Sequence, residues 1–150
     1  MTLQNLQRIG KIKEHAPSAA EVQRLLGAID RNMADAGVAS ISDETRFEAA
    51  YKAVMQCALV AMLAAGYRPA TNEPGHHQTM IQSLPLTLGV ANDAWVVLDA
   101  LRRQRNANDY TGAPMTPDIV TECLTQAKAL RKSLRAHLTN KHPELLKKPA

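Results

Sequence analysis

Aromatic side chains make up only 3% of this 150-residue chain: one tryptophan, three tyrosines and one phenylalanine. That scarcity excludes the stacking platform on which sequence-reading single-strand binders splay successive bases. Cysteine is nearly absent too. Cys57 and Cys123 each sit inside an apolar helical pattern, with no second thiol at metal-ligand or redox spacing. Buried, reduced thiols are expected, and with them a cytoplasmic setting. No glycine-rich phosphate loop, nucleophile elbow or paired-carboxylate arrangement is visible. The N-terminal segment, punctuated by Arg8, Lys11 and Lys13, does not read as a signal peptide, and no apolar run reaches ~18 residues. A soluble protein without a membrane partner is expected. Nothing alternates with period two over the length of a strand, and internal repeats and low-complexity segments are lacking.

What the chain does have is helical periodicity. With 45% hydrophobic and 21% charged residues it reads as one globular domain over 1–150, able to bury ~70% of its unfolded surface. Leu3, Leu6 and Ile9 to Lys13 give a short helical pattern ending before Pro17. Ser18 and Glu21 have capping-box spacing and start a helix over 18–36, with Gly37 as its left-handed stop. Ser42 caps the next, 43–65, whose near-total apolarity from Val54 to Ala65 makes it the central core helix. Residues 76–84 form a short helix halted near Pro85. Asn92 or a neighbour caps a helix over 93–109, and Thr116-Pro117 opens the last, 117–138, with Ile119, Cys123, Ala127, Leu130, Leu134 and Leu138 on one stripe. The fold class is therefore all-α, an antiparallel bundle of four or five main helices with Val54, Ala58, Leu98, Leu130 and Leu134 inside. The basic tail, 141–150, is expected to fray.

One stretch breaks the local rules. Arg102-Arg103-Gln104-Arg105-Asn106-Ala107-Asn108-Asp109-Tyr110 ends a helix with poor helix formers and with an acid where the helix dipole disfavours one. At 100° per residue, Arg102, Arg105 or Asn106, and Asp109 share one stripe with Tyr110 beside it. Such a stripe suits a phosphate or a partner; the alternative is a solvated, salt-bridged helix end. The net charge of +4, from 18 basic and 14 acidic residues, is compatible with RNA or a nucleotide without specifying either. Lys128, Arg131, Lys132 and Arg135 form a second basic face, suited to a phosphate backbone or simply solvated. His76-His77 invites a metal reading, but adjacent histidines diverge on a helix and no supporting ligand lies at a useful spacing, so neither a metal nor a cofactor is expected.

Two stretches together resemble the HEPN family of small helical-bundle proteins, in particular the subgroup paired with small nucleotidyltransferases. The helix from Phe47 to Gly66, followed by a loop and Gly75-His76-His77-Gln78-Thr79, looks like the family's core helix and its histidine-bearing follow-on. Arg105-Asn106-Ala107-Asn108-Asp109-Tyr110 looks like its Arg-Asn-x-x-x-His signature, and the resemblance covers about residues 43–138. It implies a homodimer with two motifs in a shared cleft, a phosphate-binding arginine, and a metal-independent, toxin–antitoxin-type ribonuclease. On that pattern Arg105 and Tyr110 are the candidate catalytic residues, with Arg102, Asn106 and Asp109 binding phosphate. The chain departs from the pattern at the decisive place, where Tyr110 replaces the histidine. A phenol titrating near ~10 is a poor base at neutral pH. Two other readings stand beside this one: a non-catalytic subunit pairing with a nucleotidyltransferase or with itself, and a plain helical adaptor.

Overall fold

The computed structural model describes residues 1–72 and 74–147. Six α-helices and a two-stranded ribbon lie among them: α1 (Leu3–Arg8), β1 (Ile12–Glu14), α2 (Ala19–Ala36), α3 (Asp43–Ala64), β2 (Tyr67–Pro69), α4 (His76–Thr87), α5 (Asn92–Thr111) and α6 (Pro117–Lys141), followed by a 3-10 turn, Pro143–Leu146. The class is all-α. The capping box forms as its spacing requires: the Ser18 hydroxyl accepts from the Glu21 N–H at 3.1 Å, and the Glu21 carboxylate accepts from the Ser18 N–H at 3.2 Å. His15 adds a third bond to the same carboxylate at 2.8 Å, which holds the Glu21 carboxyl below its ordinary pKa.

Cross-helix hydrogen bonds give the directions. Arg46 donates to the Ala36 carbonyl at 2.9 Å and Asn32 donates to Gln56 at 2.8 Å, so α2 and α3 run antiparallel. Asp30 accepts from Arg131 at 2.6 Å and Arg135 at 3.3 Å, while Gln23 reaches the carbonyls of Leu145 and Lys147, so α2 also opposes α6. Leu98 and Leu130 border one shallow cleft, and Gln104 and Ile119 another, which sets α5 against α6. The four long helices thus alternate in direction along the chain, as short connections favour.

The middle of the bundle is α3. Its alanines at 50, 53, 58 and 61 are fully buried, and such small side chains let neighbouring helices approach closely. By length and composition α3 is also apolar enough to cross a membrane, but 72% of its most apolar window lies inside the bundle, as in the core helix of a folded domain. Val54, Ala58, Leu98, Leu130 and Leu134 are all in the core.

Several expectations need correction. Residues 12–14 are not helical: Ile12, Lys13 and Glu14 pair antiparallel with Pro69, Arg68 and Tyr67. Strands of three residues fall below the length at which alternation is visible. The fourth helix does not end at 84 but includes Pro85 and stops at Thr87, because a proline in the last turn has few helix bonds left to remove, and the Ser83 and Thr87 hydroxyls bond nearby carbonyls. Gly37 is right-handed rather than left-handed, whereas the N-cap of α5 is Ala91, the neighbour of Asn92, in keeping with the expectation. Helices α5 and α6 run on to Thr111 and Lys141, past the expected 109 and 138. The tail does not fray over 142–147, where Leu145 is buried and Gln23 binds two of its carbonyls; residues 148–150 lie outside the described residues.

Candidate functional site

Beyond its first turn, α3 carries only three charged or amide side chains, Glu48, Lys52 and Gln56. Their i, i+4, i+8 spacing puts them on one stripe, beside Tyr51 and Met55. This stripe is the floor of a cleft of about 410 Å³. His77 and Met80 on α4 line it as well, and Arg105 on α5 closes one part of it. Gly75 sets the α4 contribution: with φ at +79° it begins the helix in the left-handed region that glycine alone adopts freely, placing His77 in the first turn. Gly112 ends α5 in the same conformation, φ +69°, and Asn108 bonds the Ala113 carbonyl at 2.8 Å, so the chain turns away just beyond the motif.

Arg105 is the member of the predicted stripe that enters the cleft. Its guanidinium lies over the Tyr51 ring, 5.3 Å from the centroid, within cation–π range. Its Nε faces Glu48 at 3.3 Å and, more weakly, Asp109 at 3.8 Å. The other side of Arg105 borders a smaller cleft of about 140 Å³ with Phe47, Asp109 and Met115. Tyr51 in turn stacks on Phe47 at 6.0 Å and meets His77, its hydroxyl 3.3 Å from Nδ1. Burial pushes the Tyr51 phenol up to about 12, against the opposing pull of Arg105, so it remains a neutral hydroxyl. Burial first, and then the positive fields of His76, Arg105 and Arg102, hold His77 below its ordinary value. His77 is therefore a neutral imidazole at physiological pH.

The remaining motif residues lie elsewhere. Arg102 is bound by Asp99 at 3.0 Å, both side chains largely buried, and Arg103 reaches the same carboxylate at 3.3 Å. Asn106 faces solvent, and Tyr110 is 92% exposed at the end of α5, outside the cleft. The second basic face is partly committed to structure, since Arg131 and Arg135 clamp Asp30 of α2. Among the described residues no group of three or more His, Cys, Asp or Glu could hold a metal ion. His76 and His77 meet edge to face, 4.7 Å between ring centres.

Sequence reasoning placed Arg105 but passed over Glu48 and Gln56, and did not show that Tyr51, a core residue, also lines the cleft. A signal was present: a polar i, i+4, i+8 stripe in an otherwise apolar helix marks a face that meets something other than core. Comparison with family models, with curated proteins and with solved structures returned no match.

Proposed function

We propose that this cleft binds the phosphate ester of a nucleotide or RNA, and that the protein is a nucleotide-directed, metal-independent phosphodiester-cleaving enzyme of the HEPN-like kind. The observation that carries the reading is the convergence of a guanidinium and a neutral imidazole on one buried phenol. Arg105 offers a planar fork of donors suited to a phosphate and to the extra charge of a pentacovalent phosphorane. His77, when its Nδ1–H donates to Tyr51, presents Nε2 as a proton acceptor. The reaction these groups support is attack of a ribose 2′-hydroxyl on the adjacent phosphorus. The O2′ proton passes to His77, the O2′–P bond forms, the P–O5′ bond breaks, and the imidazolium returns its proton to the departing O5′, leaving a 2′,3′-cyclic phosphate, a 5′-hydroxyl and a neutral His77. In this scheme His77, not Tyr110, is the base, because Tyr110 projects into solvent away from the cleft.

The test uses purified protein and a mixed RNA pool with and without chelator. Arg105→Ala should weaken nucleotide binding about 10- to 100-fold, the loss of a charged hydrogen bond. His77→Ala should remove cleavage while binding persists, and Tyr110→Ala should change neither. Loss of cleavage in Tyr110→Ala with full activity in His77→Ala would return the role to Tyr110. Binding indifferent to Arg105 would end the phosphate reading. The exposure of Tyr110 favours a second reading, a non-catalytic subunit that offers this phenol to a nucleotidyltransferase or to a second copy. Light scattering at micromolar concentration tests the homodimer, and a monomer mass would exclude it.

A further inference from the structure

A phosphate and its arginine occupy only one part of the cleft. From Glu48 to Leu59 its α3 floor advances ~16 Å at the helical rise, and the stretch away from Arg105 is different in kind. There Met55, Leu59 and Met80 provide an apolar, polarisable surface, with the Gln56 amide among them and the exposed Lys52 one turn nearer Arg105. The Gln56 amide is held from behind: its Oε1 accepts from Asn32 Nδ2 of α2 at 2.8 Å, in a partly buried setting. Its Nε2 has no protein acceptor among the described residues. A tethered donor beside an apolar surface, next to an anion site, matches the edge and face of a base and the phosphate of one nucleotide. The cleft of about 410 Å³ stands at the small end of ligand pockets, which suits one nucleotide rather than a strand.

We propose that the apolar half of the cleft is a single-base subsite, in which Gln56, held by Asn32, donates a hydrogen bond to a carbonyl on the edge of the base. Keto bases, uracil and guanine, fit a donor there; cytosine and adenine present an amino group at the corresponding position and leave two donors facing each other. Gln56 is thus a specificity-determining residue and Asn32 its positioning residue. Holding the base on methionine and leucine is consistent with a chain that has so few aromatic side chains to stack on.

This inference rests on the phosphate reading, and the experiment separates the two. Full-length protein is titrated with UMP, CMP, GMP, AMP and inorganic phosphate, with thermal melts confirming that each variant is folded. Wild type should bind UMP over CMP, and GMP over AMP, about 3- to 10-fold, the range of one hydrogen bond. Gln56→Glu keeps the Asn32 bond but turns a donor into an acceptor, so the UMP-to-CMP ratio should invert even if the added charge weakens both. Asn32→Ala should bring the ratio close to one while Arg105-dependent binding of inorganic phosphate is retained. Should nucleotides bind through Arg105 no better than inorganic phosphate, or with a ratio that Gln56→Glu leaves unchanged, the base subsite is overturned and the phosphate site stands. Absence of binding by every probe overturns both.

Discussion

Glu48 is the acidic partner of Arg105 across the helices. Its carboxylate lies 3.3 Å from Arg105 Nε, so a phosphate bound as proposed would compete with it for the guanidinium. The pair is too exposed to matter much for folding, since side chains that are 29% and 48% exposed belong to the class of surface pairs worth ~0–1 kcal/mol. Removing the charge should therefore act on binding. Glu48→Gln should tighten inorganic phosphate and nucleotide binding by about 2- to 10-fold, seen by titration calorimetry, with thermal stability nearly unchanged. Weaker binding instead would show that Glu48 positions Arg105 for the ligand. At this scale the sequence revealed residue types but not their partners. Arg102, Arg105 and Asp109 share a helical stripe, yet Arg102 is taken by Asp99 while Arg105 turns toward α3, and periodicity along one helix contains nothing about what lies opposite.

Among the elements, α2 is the one most completely specified by local chemistry. Ser18, Glu21 and His15 close a reciprocal cap at its start, and the helix packs Val22, Leu26 and Ile29 into the core from there. Ser18→Ala should cost about 1 kcal/mol, as loss of an N-cap does, and lower the melting temperature by ~2–4 °C. Calorimetry on the variant checks this, and an unchanged melting temperature would mean that tertiary packing alone sets the start of α2. The elements that sequence reasoning missed are those whose stability is not local. The pair β1 and β2 exists because the chain passes the same corner twice, before α2 and after α3, and three residues carry too little pattern to announce it. Pro85 stops no helix because α4 is within a turn of its end there.

The whole molecule makes its clearest statement in its two thiols. Cys57 and Cys123 are fully buried, and burial pushes each from an ordinary 9.0 up to about 12. A raised acid pKa means that the folded state keeps protons which the unfolded chain gives up. Their contribution to stability is therefore intact below pH 9.0 and is lost as pH rises toward about 12. Each thiol should add about 1.4 kcal/mol of destabilisation per pH unit in that window. Urea unfolding between neutral pH and pH 10.5 should show this slope, and Cys57→Ala with Cys123→Ala should flatten it whatever their cavities cost at neutral pH. An unaltered slope would place the alkaline sensitivity elsewhere, with the Tyr51 phenol, also raised to about 12, the next group to examine.

Helix class, helix order and the identity of the core were legible from the chain because amphipathic periodicity and caps are properties of neighbours in sequence. Val54, Ala58, Leu98, Leu130 and Leu134 could be placed inside without knowing what they touch. The cleft could not be read in this way. It needs Glu48, Tyr51 and Gln56 from one helix, His77 from a second, Arg105 from a third and the Asn32 tether from a fourth. The packing of α4 and α5 against α3 half-buries His77 near the positive charge of Arg105 and lowers its pKa, because desolvation and charge act through space rather than along the chain.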